Sequence, residues 1–495
     1  MNDLIETAYA SSIRPRLFGA RGAVSAAHPF GSAAAQHILA LGGNAVDAAI
    51  AAQAVLCVVI PASCGLGGDA LVLICGADGE TVAVNGTGCA PSDPAFQEAR
   101  DGGLAATVPG MVDAWQVMAE RFGRVGLEAC LAPAIELAQR GVRFGADISR
   151  AVHQNKARLE CGGAAGWAVC QGAGSGQSVV QPQLGRLLRA IGKTGGHAFY
   201  LGDIAKAVEC AVAACGGLLT ARDLGAHETV VTAPVSTGWQ NGRVSVQPPI
   251  TQGVLLALCL KNLEALGALP DRQLDHALIE LTNASFAHRD RVGEGAALLD
   301  VSLDVDLDKA SNRAGPRAYL HTAGVATADA EGQVVSSLVS LFDEFGSCVF
   351  VPEGGFVLNN RAQGFTQAPN DAGPGKRPVH TLAPAIFEMD GEVAALATPG
   401  ADGQIQTLLQ VITKARLQGM PLTEAIHHPR WRSENGKLLI AENHPEKAAL
   451  EALGHNMIER ADGDTCFGGV VCAGIRQGAP FAVSDWRREV WSGVS

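Results

Sequence analysis

Charge is scarce in this chain. Charged residues fill only 17% of its 495 positions, and hydrophobic residues fill 47%; an average soluble protein carries about 25% charged residues. A chain so composed can bury a large core, which excludes disorder as a global description. Positive charge is scarcest of all. Lys+Arg 37 against Asp+Glu 49 leaves a net charge of −12, with no basic block anywhere, which argues against a nucleic-acid binder or a protein of anionic membrane surfaces. Long apolar runs are missing too. The most apolar stretch, Ala45 to Ile60, has 16 residues, contains Asp47 and Gln53, and is too short to cross a bilayer. The start, Met1-Asn2-Asp3-Leu4-Ile5-Glu6, has no basic region followed by an apolar one, so no secretory signal is visible. The 13 cysteines form no C-x-x-C pair and no zinc spacing. Cys57, Cys64, Cys75, Cys259 and Cys472 lie in apolar stretches, where a free thiol behaves as a small hydrophobe. The expectation is a cytoplasmic globular protein with reduced thiols and neither nucleic acid nor membrane as partner.

What is present is organised. No solenoid period and no low-complexity tract interrupts the chain, and its length suits about three ordinary domains or one larger layered fold. The 60 glycines sit between apolar runs, as turns and close-approach points do. Ser32 to Ile60 is Ala-rich with helical spacing, broken by Gly42-Gly43-Asn44, which predicts helix, turn, buried helix. Short β-like runs follow at Ala70–Ile74 and Thr81–Val84. Gly110 to Arg143 is helical again, with Pro133 expected at a helix start. Cys161 to Gly176, polar and Gly-rich, predicts a surface excursion, and helical patterns return over Gln183–Cys215 and Gly253–Arg291. After about residue 315 the character changes. Val325–Asp329, Val334–Leu341, Cys348–Val351, Phe356–Leu358, Ala383–Glu388 and Val393–Ala397 predict strands, followed by a helix from Gln404 to Arg416. Helix-rich and strand-rich parts this apolar predict an α+β fold with sheets layered between helices.

Common catalytic patterns are absent. Gly65-Leu66-Gly67-Gly68-Asp69 lacks the strand-to-helix register and distal acid of a dinucleotide loop. His427-His428 does not have metal-ligand spacing on a helix, so packing is the better reading. No G-x-S-x-G, H-E-x-x-H or Walker pattern occurs.

Longer segments carry more. Gly42-Gly43-Asn44-Ala45-Val46-Asp47-Ala48-Ala49, Gly65–Gly68, Val108-Pro109-Gly110, Leu131-Ala132-Pro133-Ala134-Ile135 and Pro248-Pro249-Ile250-Thr251-Gln252-Gly253 stand in one order. Phe286-Ala287-His288-Arg289-Asp290-Arg291, Phe345-Gly346-Ser347, Leu358-Asn359-Asn360, Gly375-Lys376-Arg377-Pro378 and Thr398-Pro399-Gly400 continue it. In types and order the series resembles the γ-glutamyltranspeptidase family of N-terminal-nucleophile hydrolases, from about residue 22 to 475. The resemblance implies a four-layer αββα sandwich, made as a precursor that cuts itself before a Thr. Register on Thr327-Ala328-Asp329 and Phe345-Gly346-Ser347 places that nucleophile on Thr322. Residues 1–321 and 322–495 would then be two intertwined fragments of one heterodimeric unit, with a dimer of such units as a further option. A free α-amine on the nucleophile itself, with pKa about 7.7–8.0, can serve as its base. By the same resemblance Ser340 stands where the family has a second hydroxyl, usually Thr, that hydrogen-bonds the nucleophile. Gly400 and Ala401 stand where paired glycines supply the backbone N–H groups of the oxyanion hole. No metal or organic cofactor is implied.

Departures gather where the family grips the γ-glutamyl head group. Its Arg corresponds to Thr87, its Asn, Gln and Asp to Phe342, Arg361 and Gly364, and its two serines to His380 and Thr381. Losing an acid and gaining Arg361 shifts the local charge by two units, which predicts a site that repels an ammonium. The same changes are similar to a branch containing oxamate amidohydrolase and cephalosporin (glutaryl) acylases. Arg361, Arg377, His380 and Thr381 are therefore expected to receive a carboxylate or carbonyl-rich acyl group, since the Arg fork binds carboxylates bidentately. Structural ion pairs are the alternative role for Arg361 and Arg377. The expected activity is hydrolysis of a small amide through an acyl-enzyme. Two alternatives stay open: a γ-glutamyl transferase or hydrolase, and an uncut precursor acting as a binding protein, suggested by the unusual His321-Thr322-Ala323-Gly324 context.

Overall fold

Strand Ala323–Asp329, with the sequence AGVATAD, is buried at every position. Its alternation splits small residues between two faces. Ala323 and Val325 pack toward a layer of helices, and Ala326 and Ala328 pack toward a second sheet. Small side chains on the second face let the two sheets approach closely. Around this strand the computed structural model builds a seven-stranded antiparallel sheet in the order Trp491–Val494, Gly22–Ala26, Ala323–Asp329, Val334–Ser340, Asp69–Cys75, Thr81–Gly86, Val230–Thr232. The structure describes residues 13–316 and 321–495; Met1–Glu6, on which the reading of the N-terminus rests, lies outside them.

A second seven-stranded antiparallel sheet stacks on the first, in the order Leu17–Phe18, Ala479–Ser484, Val471–Arg476, Glu392–Ala397, Ala385–Met389, Gly242–Val246, Val235–Trp239. Leu71, Leu73, Leu338, Ile386, Ala395, Val471 and Ala473 fill the layer between the sheets. Helices Pro29–Ala40, Ala45–Val59, Met111–Phe122, Leu127–Arg140 and Pro182–Thr194 cover the outer face of the first sheet. Helices Gly253–Ala265, Asp271–Ser285 and Gly403–Leu417 cover the second. The fold is the four-layer αββα sandwich, and each sheet takes strands from both sides of Thr322. Among the described residues no helix is long and apolar enough to cross a membrane.

Helix Ala45–Val59 is buried along its whole length, as its apolar composition predicts. Its start is closed by a reciprocal cap: Asn44 accepts from the Asp47 N–H and Asp47 from the Asn44 N–H, both at 3.0 Å. The Asp47 carboxylate also accepts from the Arg124 N–H at 2.9 Å, tying this helix to the turn before Leu127–Arg140. Two expectations need correction. Pro133 is the seventh residue of helix Leu127–Arg140, inside it. Pro133 and Ala129, whose carbonyl loses its usual donor, are only partly buried, so water can reach that carbonyl. Cys161–Gly176 is only partly a surface excursion. It folds as short helical turns around Trp167, buried edge-on against Phe345 at 5.9 Å between ring centroids.

One buried ionic knot joins the helix layer of the second sheet. Asp275 on helix Asp271–Ser285 accepts from Lys414 Nζ at 3.0 Å and Trp431 Nε1 at 2.9 Å, with His444 Nε2 3.8 Å away. Lys414 and His444, beside Asp275, hold its carboxyl below the usual range against the opposing effect of burial. Asp275→Ala would leave Lys414 as an uncompensated buried charge, and a loss of about 3–5 kcal/mol of stability is expected, read as a fall in the denaturant midpoint. Acid should act on the same knot. Burial lowers the His444 pKa to about 4, against about 6.5 in an unfolded chain. Between those values the unfolded state binds the extra proton, so stability is complete above about pH 6.5 and falls as pH drops toward 4. Below that, Asp275 adds to the loss. Melting temperatures measured from pH 7 to 4 should fall across the window in the native protein and fall less in His444→Gln.

Candidate active site

Thr322 immediately precedes strand Ala323–Asp329, and Ser340 ends its neighbour Val334–Ser340. Antiparallel register pairs Ala323 with Val339, so the next rung brings Thr322 and Ser340 together on the face that looks between the sheets. Their hydroxyl oxygens are 3.5 Å apart. Both also address one carbonyl: Thr322 Oγ1 donates to the His321 oxygen at 2.6 Å, and Ser340 Oγ donates to it at 3.1 Å. Ser340 Oγ in turn accepts from the Phe342 N–H at 2.9 Å, which orients its proton toward His321. The peptide bond before Thr322 thus has a hydroxyl against it and a second donor on its oxygen.

A cavity of about 480 Å³ opens beside this junction, with His28, Arg150, His321, Thr322, Glu344 and Arg488 in its wall. Burial lowers the His321 pKa to about 4, opposed by Glu344, whose Oε1 is 3.5 Å from His321 Nδ1; the imidazole is neutral near pH 7. Pro399 reaches the same cavity and leads into the turn Gly400–Asp402 that starts helix Gly403–Leu417. Gly400 has φ +127° and Ala401 φ +47°. In the second case a Cβ sits in the left-handed region, at a cost of roughly 1–2 kcal/mol. The turn is held from behind. Gln252 Nε2 donates to the Ala401 carbonyl at 2.9 Å and to the Thr381 carbonyl at 2.8 Å, and Arg289 Nε lies 3.6 Å from Asp402 Oδ1. Among the described residues no acceptor takes the N–H of Gly400 or Ala401.

The expected acyl-binding residues divide. Arg361 and His380 converge on Asp69, at 3.1 and 3.3 Å from its Oδ2, and the Arg361 guanidinium stacks over Phe342, 4.5 Å from the ring centre. Asp69 pairs in register with Ser340, which puts this cluster next to the Thr322 hydroxyl pair. All three side chains are fully buried or nearly so. Among the described residues Arg361 Nη1 and Nη2 and Asp69 Oδ1 have no hydrogen-bond partner. Thr381, which follows His380, accepts from Gln252 Nε2 through its carbonyl at 2.8 Å. Thr87 Oγ1 donates to Asn85 Oδ1 at 2.7 Å, and Arg377 Nε donates to the Thr87 carbonyl at 3.0 Å. Arg377 therefore binds backbone carbonyls rather than an acid. Arg361, Arg377, His380 and Thr381 do not line the open cavity beside Thr322.

The two-unit charge shift expected from gaining Arg361 is corrected by Asp69. Its carboxyl is held below the usual range by His380 and Arg361, against the upward push of burial. Burial and the neighbouring Arg361 lower the His380 pKa to about 4. Near pH 7 the cluster is one cation, one anion and a neutral imidazole, and it repels neither charge outright. Sequence inspection passed over Asp69 because it ends the Gly65–Asp69 run. Those glycines serve close approach. A Cβ on Gly67 would stand 2.1 Å from the Val357 carbonyl oxygen, and one on Gly68 2.5 Å from that of Ser340. Asn359 N–H binds the Gly67 carbonyl at 2.8 Å. The role of Gln252 was also missed, although its motif was among the segments in order.

The profile of the gamma-glutamyltranspeptidase family matches residues 31–493. The chain is 34% identical to a glutathione hydrolase-like proenzyme of Bacillus subtilis (strain 168), covering 84% of this chain and 85% of that one. It is 32% identical to the oxamate amidohydrolase proenzyme of Klebsiella pneumoniae, covering 83% and 84%. Among solved structures, cephalosporin acylase from Bacillus halodurans superimposes with a TM-score of 0.87 at 25% identity over 98% of both chains. With its family profile, its sequence relatives and the αββα sandwich in agreement, the chain belongs to the gamma-glutamyltranspeptidase family, a family of hydrolase and transpeptidase enzymes.

Proposed function

We propose that the protein cuts its own chain before Thr322 and then works as an N-terminal-threonine amidohydrolase on a small anionic or carbonyl-rich amide. The observation that carries this reading is the shared carbonyl of His321, with Thr322 Oγ1 at 2.6 Å and Ser340 Oγ at 3.1 Å. In the first step Thr322 Oγ attacks the His321 carbonyl carbon while the Ser340 hydroxyl steadies the oxygen as it gains charge. Collapse breaks the C–N bond as the Thr322 hydroxyl proton passes to the leaving nitrogen, so His321 is esterified to Thr322 Oγ and the Thr322 nitrogen becomes a free amine. Water then hydrolyses the ester. Residues 1–321 and 322–495 remain joined through the shared sheets as a heterodimer.

Turnover repeats the chemistry on an external amide. The new α-amine takes the proton from Thr322 Oγ, the Gly400 and Ala401 N–H groups hold the oxyanion, the amine product leaves, and water releases the acyl group. The β-branched side chain of Thr limits χ1 and helps keep the hydroxyl aimed. For the acyl group, Arg361 offers Nη1 and Nη2 without partners, a donor pair suited to a carboxylate. A γ-glutamyl amide is the second reading, favoured by the partnerless Asp69 Oδ1, which could accept from an ammonium.

Intact mass under denaturing conditions should give two fragments for the native sequence and one 495-residue chain for Thr322→Ala. Ser340→Ala should slow fragment formation by about 100-fold or more, the usual cost of removing one oxyanion donor. A single native chain after prolonged incubation would overturn the processing reading, and an unchanged Ser340→Ala rate would remove that hydroxyl from the reaction. For the substrate, Arg361→Lys keeps the charge beside Asp69 but loses the planar fork. KM for an anionic amide should rise roughly tenfold or more with kcat little changed, and a γ-glutamyl anilide should be a poor substrate. An unchanged KM would take Arg361 out of the site.

A further inference from the structure

A second group of chemically capable side chains lies away from Thr322, in the helix layer over the second sheet. His276 and Glu280 are one turn apart on helix Asp271–Ser285, and His455 comes to them from the turn before strand Met457–Arg460. One donor atom from each lies within 4.8 Å of the others. Their exposures are 0%, 1% and 8%. His276 Nδ1 and His455 Nε2 face each other at 2.8 Å.

The hydrogen bonds around them fix what each atom can offer. His276 Nε2 is 2.9 Å from the Asp306 carbonyl, and a carbonyl only accepts, so in the neutral ring the proton is on Nε2 and the Nδ1 lone pair, which meets His455 Nε2 at 2.8 Å, is the one a cation would take. A backbone carbonyl holding the far nitrogen is the usual way a ligating imidazole is oriented. Glu280 Oε1 accepts from the Ser311 N–H at 3.1 Å, whereas Glu280 Oε2 is buried with no hydrogen-bond partner among the described residues. A carboxylate oxygen left bare beside two imidazoles is costly unless something positive meets it.

We propose that His276 Nδ1, Glu280 Oε2 and His455 Nε2 form a three-ligand site for a divalent transition-metal ion, with Zn²⁺ as the ion best matched to two imidazoles and a carboxylate and a water as the fourth ligand. Ligand distances of about 2.0–2.2 Å require the two rings to part slightly from their 2.8 Å contact and Glu280 to close on them. The ion compensates the bare carboxylate oxygen and replaces a hydrogen bond between two imidazoles with two bonds to one cation. The site also has a mechanical consequence. Asp306 and Ser311, which hold His276 and Glu280, belong to the stretch that approaches Thr322. The same stretch binds the loop carrying His455, through Asn312 Nδ2 to the Gly454 carbonyl at 2.9 Å and the Asn456 N–H to Asn312 Oδ1 at 3.1 Å. The metal therefore ties residues before Thr322 to residues after it. On the self-cleavage reading it bridges the two fragments, while the site itself does not depend on cleavage.

The test uses the full-length protein, stripped with EDTA, desalted, and titrated with ZnCl₂ by calorimetry. Saturable uptake of one ion per chain is expected, with a higher melting temperature in Zn²⁺ that EDTA reverses. His455→Gln should abolish the uptake. Glu280→Gln keeps the acceptor for Ser311 and the side-chain shape, so it should fold, and it should bind at least roughly tenfold more weakly. No saturable uptake by the native protein, or uptake unchanged in Glu280→Gln, would leave only a hydrogen-bonded histidine pair and overturn the site. Running the titration on uncut Thr322→Ala as well separates the two proposals, because equal uptake there supports the metal site whatever becomes of the cleavage reading.

Discussion

The strand that begins at Ala323 is enclosed on every side. Hydrogen-bond ladders to Gly22–Ala26 and Val334–Ser340 hold both its edges, and a helix layer and a second sheet cover both its faces. A strand held on four sides fixes the position of the residue just before it. Thr322 inherits that position, and its hydroxyl meets Ser340 because the ladder places Ala323 opposite Val339. Breaking the peptide bond before Thr322 would remove no rung of either ladder. A new N-terminus here would stay where the sheet put it, which a nucleophile carrying its own base requires.

Around that fixed point the polar groups separate into two environments. On one side an open, mixed-charge cavity carries His28, Arg150, Glu344 and Arg488. On the other, Asp69, Arg361 and His380 are closed in between the sheets, each compensating the others. Burial alone would drive Asp69 toward its neutral form; Arg361 and the proximity of His380 reverse that, and burial with Arg361 keeps His380 uncharged. The cluster is expensive to assemble, and its guanidinium and carboxylate still leave polar atoms without partners. Such incompletely satisfied groups are worth retaining where a ligand completes them. Their adjacency to Ser340 makes the acyl group of a substrate the natural candidate.

Local pattern exposed most of the frame and little of the electrostatics. The all-buried helix Ala45–Val59 and the strands Asp69–Cys75, Thr81–Gly86, Ala323–Asp329 and Val334–Ser340 follow from apolar runs and turn residues, because burial runs nearly unbroken along each element. Strands Val235–Trp239, Gly242–Val246 and the C-terminal pair Val471–Arg476 and Ala479–Ser484 escaped notice. They form two local hairpins, Val235–Trp239 with Gly242–Val246 and Val471–Arg476 with Ala479–Ser484, turned at Gln240-Asn241 and Gln477-Gly478; Asn241-Gly242 and Gln477-Gly478 are turn signals the sequence does contain. Pro133 misled because a helix tolerates proline where the freed carbonyl can meet water. Asp69 was hidden for a different reason: a lone acid after a glycine run acquires meaning only once Arg361 and His380, about 300 residues later, fold onto it. The resemblance to a family gives Thr322, Ser340 and Gly400 their expected roles through motif register, but Asp69 is not among the residues it names.

The glycine run also bears on the order of events. Gly67 and Gly68 let the chain before Thr322 lie against the backbone of Val357, Leu358 and Ser340, which come after it. The same contact sets Asp69 opposite Ser340. Ser340 reaches the His321 carbonyl through the ladder between Ala323–Asp329 and Val334–Ser340, and the segment from before the junction packs onto that pair at Asp69–Cys75. On the proposed mechanism the donor that steadies the attacked carbonyl is a product of strand pairing, so cleavage must follow formation of that ladder. A chain in which those two strands are unpaired lacks the second donor, and on the same mechanism it keeps its peptide bond.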